Sequence, residues 1–181
     1  YRRFLILDIF VARQPIFNRL QKLFAYELLF RDSYDNNYRC ANGDQATIDV
    51  ICNSFFAIGI DALTGGKRAF INFTENLLLQ ESPLLLSKKS VVVEILETVE
   101  PTPEVIAVCK KLKQAGYLIA LDDFVFHPRF APLLDVADII KVDFLITTGL
   151  DRRKLMLRVK NRNIYFLAEK VETREDFEEA L

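Results

Sequence analysis

The chain has 181 residues, 51% of them apolar, with 24 basic and 25 acidic side chains and a net charge of −1. That length and apolar content suit one domain with a large core and exclude a disordered chain, and the charge balance leaves no global field to recruit DNA or RNA. No apolar run approaches the roughly 18 residues of a membrane span, and "YRRFLILDIF" has no small-residue cleavage site of a signal peptide. Cys40, Cys52 and Cys109 lack CxxC spacing and read as buried thiols of a cytoplasmic protein, not as disulfides or zinc ligands.

Short β-rich runs alternate with amphipathic helical stretches. "FVARQPIF" (10–17) and "KLFAYELLFR" (22–31) are the first strand candidates, and "NRLQ" between them suits a hairpin. Alternation in the second puts Phe24, Tyr26, Leu28 and Phe30 on one face. Leu23, Ala25, Glu27, Leu29 and Arg31 take the other, so an acid and a base stand in an otherwise apolar row. In 44–58, Ile48, Ile51, Cys52, Phe55 and Ile58 recur at helical spacing. "TGGK" (64–67) precedes the strand "RAFINF" (68–73) and reads as a turn, and 75–80 is a short helical candidate.

The next strand is "SVVVEILE" (90–97). Thr102, Pro103 and Glu104 then give a hydroxyl cap, a proline at the first position and an acid near the positive end of a helix. Its apolar face is Val105, Val108, Cys109 and Leu112, and Gly116 is placed to end it. "YLIALDDF" (117–124), "DIIKVDF" (138–144) and "IYFLAEKV" (164–171) are strands, with weaker helices near 129–136 and 151–160 between them. Thr173 with Asp176 resembles a capping box for a last helix. No linker or second domain is visible, so residues 1–181 read as one domain.

Repeated strand–helix units form either an open sheet or a closed barrel. A glycine-rich phosphate loop would favour the open sheet, and none follows the first strand. Asn72, Glu94, Asp122, Asp123, Lys141, Asp143 and Glu169 each fall near the C-terminal end of a strand's apolar run, the active-site face of a (β/α) barrel. Complete barrels need about 250 residues. The expectation is therefore an α/β, TIM-like barrel whose sequence stops before its C-terminal strands close it.

Glu27, Asn72, Glu94, Asp122, Asp123 and Glu169 are an oxygen-rich set without histidine. If they converge, their repulsion must be offset by cations or by raised pKa values. Such hard donors fit Mg²⁺ or Mn²⁺, and the Asp122–Asp123 pair suits two metals for phosphodiester hydrolysis. Lys141 would hold the attacking water or neutralise developing charge. Any one acid taken alone reads as a solvated strand end or a helix cap, Asp123 and Asp143 most readily. A Schiff-base enzyme using Lys141 is a second reading, for which this many acids are surplus.

The ordered series "QPI", "ELLFR", "FIN", "VVVEILE", "ALDDF", "IIKVD" and "LAEKVET" resembles the EAL domain of bacterial cyclic-di-GMP phosphodiesterases from about Phe10 to Leu181. "IFVARQPIF", "GGKRAFINFT" and "LAEKVETREDF" resemble more narrowly the subgroup in which an HDOD domain follows. The resemblance implies an EAL-type barrel with an antiparallel first strand that cuts cyclic-di-GMP to pGpG, in a protein able to form a homodimer. It implies Glu27, Asn72, Glu94 and Asp122 around one metal, with Asp123 and Glu169 serving the pair. Lys141, beside the catalytic water, completes a catalytic set with Glu169 and Asp123. Gln14, Leu29 and Arg31 would hold the dinucleotide, and Glu97 and Glu172 would brace neighbouring loops.

Two departures bear on activity. After "DDF" the family carries a glycine- and serine-rich loop that couples metal binding to dimer packing, whereas this chain reads "VFHPRF" (125–130). Pro128 stiffens that loop, and its lone histidine, His127, reads as structural. The family's closing strands, with a glutamine near the substrate, lie beyond Leu181. Two functions follow: a metal-dependent phosphodiesterase, or a non-hydrolysing domain that binds cyclic-di-GMP or a protein partner.

Overall fold

The computed structural model describes residues 10–31, 43–51 and 59–181. Seven strands form one sheet in chain order: β1 (Phe10–Phe17), β2 (Leu23–Arg31), β3 (Arg68–Phe73), β4 (Val91–Ile95), β5 (Leu118–Leu121), β6 (Ile139–Asp143) and β7 (Tyr165–Glu169). β1 and β2 are antiparallel, and every later pair is parallel. The hairpin expected at "NRLQ" is built by Asn18, whose side chain accepts from the amides of Leu20 (2.9 Å) and Lys22 (3.0 Å).

Helices α1 (Gly43–Ile51), α2 (Ile60–Thr64), α3 (Glu75–Leu79), α4 (Pro103–Ala115), α5 (Ala131–Leu134), α6 (Gly149–Val159) and α7 (Arg174–Ala180) join the strands. The expected helix 44–58 is seen as α1; Cys52, Phe55 and Ile58 lie outside the described residues, as does Cys40. α4 starts and stops as its sequence dictates. The Thr102 hydroxyl accepts from the Val105 amide, and Gly116 ends the helix at φ 91°. The helix expected over 129–136 divides instead into a 3-10 turn, Pro128–Phe130, and α5, with a proline in the first two positions of each piece.

Strand pleating sorts the core into two layers. Leu28, Ile71, Phe73, Val93, Ile95, Ile119, Leu121, Ile140 and Val142 face outward into the main core, which includes Val105, Cys109 and Leu112 of α4. Ile16, Ala25, Phe70, Val92, Ala120 and Ile139 form a second, inner cluster, with Leu118 and Leu167 against it. The sheet is curled around that cluster. Flat strands spaced about 4.8 Å apart would hold β2 and β6 roughly 19 Å apart, beyond the reach of two side chains. Here Glu27 of β2 reaches Lys141 of β6 at 3.5 Å. The architecture is a mixed sheet curled as a partial barrel, with its antiparallel pair at the start.

Candidate divalent-cation site at the C-terminal end of the sheet

The site stands one pleat above the inner apolar cluster. Ala25, Phe70, Val92, Ala120, Ile139 and Leu167 form that floor. Two residues further on each strand come Glu27, Asn72, Glu94, Asp122, Lys141 and Glu169. A two-residue step returns a side chain to the same face, so six successive strands deliver one polar group each to the space over the floor. This accounts for the acid in β2: Glu27 is not misplaced in an apolar row but is its top member.

Lys141 is the centre of the group. Its ammonium ion-pairs with Glu94, lies 2.8 Å from Asp122 and 2.9 Å from Glu169, and lies 3.5 Å from Glu27. Lys141 is 1% exposed and Glu94 is fully buried. Burial alone would lower the lysine's pKa, but the four carboxylates outweigh it and hold the group firmly protonated. Burial pushes Glu94 well above the usual carboxylate range, with Lys141 working against it and Glu27 and Asp122 adding to it. Glu169 is pushed up by burial to about 7, again against the pull of Lys141.

Asp122 and Asp123 would leave opposite faces of an extended strand. β5 ends at Leu121, and Asp123 takes a left-handed conformation at φ 38°, its amide donating to Oδ1 of Asp122 at 3.0 Å. The expected strand over 117–124 is therefore cut short. The turn brings candidate ligand atoms of Asp122, Asp123 and Glu169 within 4.8 Å of one another.

Oδ1 of Asn72, Oε2 of Glu94 and Oδ1 of Asp123 are buried without a hydrogen-bond partner. Buried polar atoms are rarely left so, and these three belong to the predicted metal set. Carboxylates with one neutral amide are hard oxygen donors of the type Mg²⁺, Mn²⁺ and Ca²⁺ accept. The residues present fit a divalent cation.

Among the other predicted residues, Gln14 pairs in register with Glu27 and so shares its face, exposed at the mouth. Leu29 is half-buried two residues beyond Glu27 on the same face. Arg31 ends β2, and its side chain lies outside the described residues. Glu97 lines a small crevice with Asp122, Asp123 and Phe124. Glu172 is exposed after β7. Asp143 does not join the Lys141 group. It caps the next turn, accepting from the amides of Leu145 (2.7 Å) and Ile146 (3.3 Å).

The residue that sequence reasoning passed over is Lys170, which ion-pairs with Asp143 and lies 3.6 Å from Asp123. The loop "VFHPRF" is structured. Nδ1 of His127 accepts from the Arg129 amide at 3.3 Å, and Arg129 pairs with Glu100 at 3.2 Å. The Arg158 guanidinium lies 3.9 Å from the centre of the Phe126 ring.

Fold and site together define a class: a TIM-like domain carrying a carboxylate-rich candidate cation site at the strands' C-terminal ends. No protein-family model matches the chain. Over 180 residues it is 49% identical to the uncharacterized protein YuxH of Bacillus subtilis strain 168, covering 97% of this chain and 44% of that protein. Over 175 residues it is 39% identical to the cyclic di-GMP phosphodiesterase CdgJ of Vibrio cholerae serotype O1, covering 94% of this chain and 40% of that one. The chain thus spans less than half the length of these curated relatives.

Among solved structures, the Bacillus subtilis YkuI protein, with an EAL domain in complex with c-di-GMP and calcium, superposes with a TM-score of 0.69. That match has 21% identity and covers 93% of this chain and 49% of YkuI. The EAL domain of Mycobacterium smegmatis DcpA gives 0.64 at 18% identity, over 92% of this chain and 81% of that one. At such identities the structures speak for the fold. In fold the chain is similar to these EAL-domain structures, and in sequence to YuxH and CdgJ. Among the described residues no helix is long and apolar enough to cross a membrane.

Proposed function

We propose that this domain binds cyclic-di-GMP together with Mg²⁺ or Mn²⁺ and hydrolyses one phosphodiester bond to give pGpG. The observation that carries the reading is the convergence of Glu27, Glu94, Asp122 and Glu169 on one buried ammonium while Asn72, Glu94 and Asp123 keep oxygens unpartnered. Glu27, Asn72, Glu94 and Asp122 would hold one cation, and Asp123 and Glu169 would serve a second. Bound there, the cations would supply Lewis-acid polarisation of the phosphate and neutralise charge on its oxygens.

The remaining steps belong to the chain. Lys141, released from part of its carboxylate contacts, holds the attacking water by a hydrogen bond and favours the anion formed there. Gln14, Leu29 and Arg31 orient the dinucleotide. Glu97 and Glu172 brace the adjoining loops. CdgJ, named a cyclic di-GMP phosphodiesterase, supports this reading, as does YkuI, whose structure is a complex with c-di-GMP and calcium. In the same reading the domain is cytoplasmic, 1–181 is one EAL domain of the EAL–HDOD subgroup, and the full-length protein is a homodimer with a following HDOD domain.

A second reading, a receptor that binds without cutting, is favoured by the loop after Asp123. Contacts of Arg129 with Glu100 and of Arg158 with Phe126 hold that loop from two sides. A loop fixed about 1 Å from productive geometry can lower the rate a hundredfold. The test is the full-length protein with cyclic-di-GMP and Mn²⁺ or Mg²⁺, following binding and pGpG together. Turnover that Glu27→Ala abolishes establishes the enzyme. Micromolar binding without product establishes the receptor, and absence of both binding and metal uptake rejects both.

A further inference from the structure

Lys170 follows Glu169 directly and adopts a left-handed conformation, φ 52°. For an L-residue with a side chain this costs roughly 1–2 kcal/mol that glycine would not incur, so the side chain present there calls for a reason. Its ammonium supplies one. It ion-pairs with Oδ2 of Asp143, which is 2% exposed and fixed by the Leu145 and Ile146 amides. It also stands 3.6 Å from Oδ2 of Asp123. The lysine therefore joins the connection after β5, the end of β6 and the connection after β7. Asp123 faces it with one oxygen, keeps Oδ1 unpartnered, and contributes to the group with Asp122 and Glu169.

We propose that Lys170 is a positioning residue of the cation site: anchored on Asp143, it fixes Asp123 beside Asp122 and Glu169. The inference rests on the cation-binding reading above. An isolated ammonium beside Asp123 would repel a divalent ion, but the Asp143 carboxylate balances that charge at contact distance. What remains is the orientation. Such supporting partners typically contribute 10–100-fold to metal affinity.

The experiment measures Mn²⁺ binding to the full-length protein, by calorimetry and by the Mn²⁺ resonance signal, without nucleotide. Lys170→Met keeps the bulk and loses the charge, and Lys170→Gly also relieves the backbone. Both should bind Mn²⁺ about tenfold or more weakly, and Lys170→Arg should restore wild-type affinity. Unchanged or tighter binding in the Met and Gly variants overturns the proposal, marking the lysine as a bystander or a competitor. A wild-type protein that takes up no Mn²⁺ overturns the cation reading itself. Cooperative melting of Lys170→Gly, in which the left-handed backbone is unstrained, keeps the comparison among folded proteins.

Discussion

Lys141 and Glu94 form an ion pair at the inner face of the sheet where neither side chain is open to water. Removing one member of such a pair leaves the other as an uncompensated buried charge, at a cost of about 3–5 kcal/mol. Lys141→Met should lower stability to urea by that order in the presence of a chelator. Added Mn²⁺ should then raise the variant's melting temperature more than that of the wild type, because four carboxylates have lost their counter-ion. Equal stability of the two proteins in chelator would contradict this account of the site.

Asp143 gives the pH dependence a sign. Burial alone would raise its pKa. The hydrogen bond from Lys170, those from the Leu145 and Ile146 amides and the charge of Lys170 together bring it below the ordinary 3.8. A carboxyl with a depressed folded-state value contributes stability that is present above its unfolded value and lost as pH falls through the folded one. The wild type should therefore lose stability steeply below about pH 4. Asp143→Asn should be weaker at neutral pH by about 1–3 kcal/mol and flatter in acid. Parallel pH curves for the two would contradict the assignment.

Cys109 lies in the main core with no exposed surface, and burial pushes its thiol up to about 11. The nucleophile is the thiolate. In a Cys40→Ser, Cys52→Ser background, alkylation at pH 7.5 should therefore be slower than for a free thiol by roughly a hundredfold or more. It should reach a free thiol's rate in denaturant. Rapid labelling of the native protein would show that α4 opens locally.

The "VFHPRF" loop is held by Arg158 stacked on Phe126 and by Arg129 paired with Glu100. Cation–π contacts at partly exposed sites contribute about 0.5–1 kcal/mol. Arg158→Ala should therefore speed amide hydrogen exchange across residues 125–130 and leave the amides of β4 and β6 unchanged. Exchange in the loop that is indifferent to Arg158 would leave it held from the Glu100 side alone.

Much of this was legible in the sequence because the strand period carries it. Glu27, Asn72, Glu94, Asp122, Lys141 and Glu169 each come two residues after an inward apolar side chain, and the alternation of "KLFAYELLFR" separates Ala25 and Glu27 from Tyr26 and Leu28 as the structure does. Lys170 was not legible. A lysine after a strand reads as solvated, and neither its left-handed backbone nor its partner 27 residues away leaves a local pattern. The grip of Arg158 on Phe126 escapes for the same reason, being a contact between a helix and a loop far apart in sequence. β5 was read too long because Asp123 turns out of the strand, a backbone event that residue type does not announce.

Five of the acid and amide groups, together with Lys141, are referred to the sheet itself. Even Asp122, one residue past β5, keeps its amide on the Ile95 carbonyl at 2.9 Å. Asp123, in the turn that follows, is the candidate ligand whose backbone leaves the strand direction, at φ 38°. The candidate site is thus a frame set by the sheet, with one member, Asp123, set by the loop. A change in the loop after β5 would therefore bear first on Asp123, while Glu27, Asn72, Glu94 and Glu169 keep the places that their strands give them.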